Sequence, residues 1–152
     1  MRAKVIDTAR DLGLDVNVHR LDASGGTAVE GAAAAVGCAA ERVASCAVLV
    51  ADGEPVVCVT PAGAPADRDL VADALDVAEV RPASAAETRS ATGFPVGGVP
   101  PFGHGLAVVL DSALLAHATV WAAAGDGSTL VELEPRSLAG CTEATVASIA
   151  PR

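Results

Sequence analysis

The sequence predicts a mixed α/β fold of the α+β kind: a mixed, mostly antiparallel sheet built from hairpins, with several short helices against it. Three observations lead there. Apolar runs of strand length, such as Cys46 to Ala51 and Leu106 to Leu110, alternate with short amphipathic stretches. Asp52-Gly53 and Gly125-Asp126-Gly127 write tight reversals between neighbouring apolar runs. Thr27-x-x-Glu30 and Ser84-x-x-Glu87 are capping boxes that start short helices, and their placing does not fit a doubly wound β–α–β array.

Each element has its own reason. Val5, Ile6, Ala9 and Leu12 recur at helical spacing, and Gly13 stops that helix. Asp15 to Leu21 alternates as a strand does, with Val16 and Val18 on one face and Asn17 and His19 on the other. Gly25-Gly26 turns the chain into an alanine-rich helix that opens at Thr27 and ends at Gly37. After a turn at Glu41 to Ala44, the continuous apolar run from Cys46 to Ala51 reads as a strand buried on both faces. Pro55 to Thr60 returns as its hairpin partner. Pro61 to Pro65 is a loop, and Asp67 caps a helix to about Leu75 with Leu70, Val71 and Leu75 inward. Val77 to Val80 is extended. The helix opened by Ser84 then delivers the chain to Thr92. Leu106 to Leu110 is a buried strand closed by Asp111, which either polarises a site or, in the favoured reading, caps one helical turn from Ser112 to Ala116. Thr119 to Ala124 and Thr129 to Leu133 pair across the glycine turn. Pro135 opens a short turn through Leu138, and Thr145 to Ile149 is the last strand.

Composition bounds the function. One domain is expected over residues 1–152. Hydrophobic residues make up 51% and aromatics only 2%, so the core must be valine, alanine and leucine, packed closely. The net charge of −9 argues against general nucleic-acid affinity, and no DNA partner is expected. No apolar run reaches membrane-spanning length and the amino terminus has no signal-peptide core, so no membrane partner and a cytoplasmic location are expected. Cys38, Cys46, Cys58 and Cys141 lack zinc spacing, so they read as free thiols, with no metal and no cofactor expected.

The chain is organised around Thr92 to Gly105, which holds five of the fifteen glycines and three of the nine prolines. Proline removes donors and fixes φ, and glycine opens positive φ, so this is a stiff loop. Gly97 and Gly98 let a ligand approach main-chain N–H groups. Phe94 and Phe102, the only phenylalanines, bracket the bend as wedges. A structural Ω-loop and a binding loop both fit that composition.

The order Thr-Gly-Phe-Pro-Val-Gly-Gly-Val-Pro-Pro-Phe-Gly-His from Thr92 to His104 resembles the signature loop of the YbaK-like, prolyl-tRNA-synthetase-associated editing domains. Leu106 to Asp111, Val120 to Gly125 and the spacing from Arg42-Val43 through Asp52-Gly53 resemble further parts of that family. The resemblance implies aminoacyl-tRNA deacylation in trans: a small wrong amino acid, cysteine, alanine or proline, is hydrolysed from the 3′ end of a tRNA, with tRNA(Pro) as first candidate and prolyl-tRNA synthetase as a candidate partner. The ester is already activated, so a site need only orient it, exclude the wrong amino acid and support an oxyanion. Gly97 and Pro101 match the family's Gly-x-x-x-Pro element. The resemblance therefore places the ester at Gly97, Gly98 and Pro101, with Phe94, Val99, Pro100, Ala123 and Gly125 around it. A substrate hydroxyl or a bound water would take part in the attack.

One position departs. The family carries a lysine before the first buried strand, where this chain has Ser45; Lys4 is its single lysine. Arg42, Arg89 and His104 are then the candidate contacts for anionic groups, and His19 a candidate pocket residue. Arginine is a fixed fork rather than a tunable amine, so it is no like-for-like replacement. The rival reading is a catalytically degenerate binding module that keeps the fold and has lost the lysine.

Overall fold

The computed structural model describes residues 2–14, 16–20, 42–62, 64–96, 98–123, 125 and 129–150. The helix expected from Thr27 to Gly37 lies outside them, as do Gly97 and the turn residues Asp126 and Gly127. The described elements are α1 (Arg2–Asp11), β1 (Asn17–Arg20), β2 (Ala44–Ala51), β3 (Glu54–Pro61), α2 (Arg68–Leu75), β4 (Val80–Pro82), α3 (Ala85–Thr92), β5 (Ala107–Asp111), a 3₁₀ turn (Ser112–Ala116), β6 (Val120–Ala123), β7 (Thr129–Leu133), α4 (Pro135–Thr142) and β8 (Thr145–Ala147).

These strands form two sheets. The larger has the order β4-β2-β3-β5-β8 and the smaller β1-β7-β6. Antiparallel pairing dominates, as expected, with β2 against β3 and β4, and β7 against β1 and β6. The exceptions are parallel: β3 with β5, and β5 with β8. The chain between β3 and β5, through α2, β4, α3 and the glycine–proline loop, is the long crossover that parallel pairing requires. A parallel bridge between Val43 and Trp121 joins the two sheets.

Strand alternation divides the interior in two. Val48, Val57, Val59, Val108 and Leu110 face a main core that also takes Val120, Ala122, Val131 and Leu133 from the smaller sheet, Ala9 from α1 and Leu138 from α4. Leu49, Ala51, Val56, Cys58 and Val109 face a second core closed by Val71 of α2 and by Ile149. Both cores are built almost wholly of aliphatic side chains, as the composition requires. Among the described residues, no helix is long and apolar enough to cross a membrane.

Several sequence expectations are corrected. The strand at Cys46 is not buried throughout: Ser45 and Ala47 are exposed and Cys46 is half-buried, while Ala44 and Val48 to Ala51 are buried. The helix begun by Pro135 runs on to Thr142, and the extended segment expected at Val77 to Val80 is instead β4, Val80–Pro82. The last strand stops at Ala147. Asp111 does not cap the turn that follows it; its buried carboxylate turns back to accept the N–H groups of Ile149 and Ala150 at 3.0 and 3.4 Å. It thereby ties the end of the described chain to the second core.

Candidate functional site

Helix α3 aims the chain into the loop. The Ser84 hydroxyl accepts the Glu87 N–H at 3.1 Å while the Glu87 carboxylate accepts the Ser84 N–H at 3.0 Å, which completes the capping box. At the other end Gly93, at φ 80°, donates its N–H to the Arg89 carbonyl at 2.8 Å. The Thr92 hydroxyl donates to the Thr88 carbonyl at 2.7 Å and accepts the Phe94 N–H at 3.0 Å. This local bond lets the helix hand its chain straight into the bend.

The bend itself is anchored inward. Phe94, Val99 and Phe102 are 3%, 2% and 1% exposed and belong to the main core. Pro100 and Pro101 are buried too, whereas Val96 at the tip is 66% exposed. The Gly98 N–H donates to the Pro95 carbonyl at 2.9 Å, closing a tight turn, and the Gly98 carbonyl accepts the Gly125 N–H at 2.9 Å. The loop and the end of β6 are thus stapled together, which brings Gly98, Ala123 and Gly125 to one place. Farther on, Gly103 lies so close to α1 that a Cβ there would sit 2.9 Å from Thr8 Cγ2.

These bonds correct one expectation. Gly98 does not hold a free amide for an acyl carbonyl, because that donor already closes the turn. Pro100 and Pro101 have no N–H to offer. Val99 is the neighbouring donor in the bend, and no acceptor for its N–H stands among the described residues.

His104 follows Gly103. Its Nδ1 accepts the Leu106 N–H at 3.1 Å, so its proton belongs on Nε2. Nε2 is fully buried and has no hydrogen-bond partner among the described residues. Burial lowers the imidazole pKa below its ordinary 6.5, with the Pro101 carbonyl acting in the opposite sense without closing a bond to Nε2. The ring is therefore neutral near pH 7.

The other candidates separate. The Arg42 guanidinium is taken: its Nε donates to the Thr119 carbonyl at 3.1 Å, and its Nη2 reaches the Thr119 hydroxyl and, at 3.4 Å, the Glu132 carboxylate. Glu132 is in turn held below its ordinary range by hydrogen bonds from Asn17 and Thr119, with the Arg42 charge adding to them. Arg42 is thus a sheet brace joining residues 90 apart, which no local sequence signal announces, and not a free anion contact. Ser45 is exposed and shares its strand face with Ala47, Leu49 and Ala51, the face opposite the core into which the loop anchors. Arg89 is exposed on the last turn of α3, directly tied to Gly93. His19 sits in β1 across from Leu130, with its side chain outside the described set. Burial pushes the Cys46 and Cys58 thiols up to about 12, and Cys58 adds to the shift at Cys46, so neither is a nucleophile near neutral pH. No group of three or more His, Cys, Asp or Glu among the described residues could hold a metal ion.

An open cleft of about 890 Å³ lies elsewhere, between the Asp52-Gly53 turn, the first turn of α2 and β4. It shares no residue with the loop. Two of its carboxylates are already used: Asp52 accepts the N–H groups of Ala78 and Glu79, and Asp67 those of Asp69 and Leu70. Its lining mixes Asp52, Asp67, Asp69 and Glu79 with Arg68 and Arg81.

Comparison with known proteins matches most of the chain. The aminoacyl-tRNA editing domain family matches residues 23–141. The uncharacterized protein YwhH of Bacillus subtilis (strain 168) is 33% identical over 113 residues, which cover 72% of this chain and 71% of that protein. A crystal structure described as that of a candidate trans-editing enzyme for prolyl tRNA synthetase superposes with a TM-score of 0.90 at 29% identity, covering 99% of this chain and 97% of the other. The structure of a hypothetical protein superposes with a TM-score of 0.89 at 26% identity, covering 97% of this chain and 99% of its own.

Proposed function

As the chain belongs to the aminoacyl-tRNA editing domain family, we propose that residues 1–152 act as one cytoplasmic, trans-acting deacylase domain. It removes a small wrong amino acid, cysteine, alanine or proline, from the 3′ end of a tRNA, with tRNA(Pro) as the first substrate to test and prolyl-tRNA synthetase as the partner to test. The observation that carries this reading is the bend from Thr92 to Gly105. It is anchored by Phe94, Val99 and Phe102 and stapled through Gly98 to Gly125, which supports a main chain from Gly98 to Pro101 presented to an ester.

In this reading the bend orients and the substrate supplies the chemistry. Gly97 and Pro101 frame the acyl group, Val99 N–H donates to the developing oxyanion, and water or a ribose hydroxyl attacks the carbonyl. Ala123 and Gly125 close the side of a small pocket. The exposed Arg89 guanidinium, beside the loop, meets a phosphate of the tRNA end. A chain of net charge −9 has little general grip on RNA, so a synthetase would supply the rest.

One observation favours the degenerate module. By the resemblance Ser45 stands where a lysine is expected, and Arg42, the nearest basic residue in sequence, is bound to Glu132 and Thr119. The test is hydrolysis of labelled Cys-, Ala- and Pro-charged tRNA by the protein and by Ser45→Lys. Weak activity in the parent, rising in the variant, is the expected result, with the lysine gripping an anionic group of the tRNA end rather than the oxyanion, because position 45 lies on the strand face away from the core that anchors the loop. Activity in Ser45→Lys alone would establish the degenerate module. An equal rate in both would remove position 45 from the reaction.

A further inference from the structure

His104 occupies an unusual place. It stands between two glycines in the left-handed region, Gly103 at φ 80° and Gly105 at φ 76°, at the exit of the bend into β5. Neither glycine position suits another residue, so the backbone is shaped to bring this side chain around. The Nδ1 atom accepts the N–H of Leu106, two residues on. That is the bond an asparagine side chain makes in an Asx-turn, made here by an imidazole. Leu106 leads directly into β5, which is held on both sides by β3 and β8. On the other flank lies Pro101, whose carbonyl is close enough to influence the ring.

We infer that His104 is a positioning residue for the deacylation proposed above. Its neutral ring, by accepting the Leu106 N–H, locks the exit of the bend and so holds Val99 to Pro101 in register with the ester. His104 does not touch the substrate, since Nε2 is closed off from solvent. Protonation at Nδ1 would replace the acceptor by a donor facing another donor, and the lock would open. The causes of its shift are burial and the Pro101 carbonyl, with no charged side chain among them. Helix α1, which meets the loop at Thr8, carries Asp7, Arg10 and Asp11, all exposed.

The inference rests on the proposed deacylation, but its test has a readout that does not need catalysis. Amide hydrogen exchange at Leu106 would be measured in the parent, His104→Asn and His104→Ala, with melting temperature as a control for folding. Asparagine keeps an acceptor in place and does not titrate; alanine keeps nothing. The Leu106 amide is expected to be protected in the parent at neutral pH, to lose protection below the usual histidine range, to stay protected at both pH values in His104→Asn, and to be open in His104→Ala. In deacylation, His104→Asn should keep the parent rate and lose the acid limb of the pH profile. His104→Ala should lose roughly tenfold to a hundredfold in kcat with KM little changed, as misplacement of a reacting group does. A protected Leu106 in His104→Ala, or an acid limb that survives in His104→Asn, overturns the assignment. A parent inactive on every charged tRNA would sink the proposed function, while the Leu106 protection pattern would still decide the lock.

Discussion

Gly103 shows how one residue carries a fold constraint. Its φ of 80° disfavours any L side chain, and an added Cβ would press against Thr8 Cγ2. Gly103→Ala should therefore lower stability by about 1–2 kcal/mol from the backbone alone, and more from the clash. Thr8→Ser, which removes only the clashing methyl, should restore the second part and not the first. Thermal melts of the two single variants and the double variant would separate them. A double variant no more stable than Gly103→Ala would mean that the contact does not matter. At this scale the sequence was partly legible. Phe94 and Phe102 read as wedges and are the buried anchors. Gly98 read as a free donor, yet its N–H closes a turn to Pro95, because a glycine's openness to a ligand says nothing about where its amide already points. Arg42 read as an anion contact and is a brace to Glu132, a partner that only the pairing of distant strands supplies.

Helix α3 is the element that sets the loop's direction, and a charged pair guards its start. Arg81 of β4 donates to both oxygens of Glu87 at 2.9 and 2.8 Å, while Glu87 also completes the capping box. The Arg81 hydrogen bonds, then the Ser84 N–H, hold the Glu87 carboxyl at about 2, well below its ordinary 4.5. A carboxyl depressed by folding adds stability above its unfolded value and loses it as the pH falls through the folded one. The contribution should thus be complete above about 4.5 and disappear towards 2. Both side chains are exposed, so the effect is modest and screened by salt. Glu87→Gln should flatten the pH dependence of the melting temperature across that window at low salt. An unchanged slope would show that the pair adds nothing. The box at Ser84 was readable because its spacing is local. The length of α4 was not, because its continuation past Leu138 depends on packing that buries Leu138 in the main core.

For the whole molecule the loop is a structural member as well as the candidate site. Phe102 enters the core shared by both sheets, in a protein with almost no other aromatic volume to replace it. Phe102→Ala should cost about 3–5 kcal/mol and reduce deacylation beyond what the loss of fold explains. Val71→Ala, in the second core, should lower the melting temperature while leaving the activity of the folded fraction intact. Equal loss of activity in both variants would break the link between this core and the site. The order of residues alone determined the α+β class, the hairpin at Asp52-Gly53, the caps of α2 and α3, the aliphatic character of the interior and the special standing of Thr92 to Gly105, because each rests on spacing within a few neighbours. Only the tertiary structure decided that the strands divide into two sheets with two cores, that Gly98 is stapled to Gly125, that Asp111 ties down the segment at Ile149, and that Arg42 is occupied while Arg89 stays exposed beside the loop. Those outcomes depend on which distant groups compete for the same donor or the same buried volume, and that competition is settled when the sheets pack.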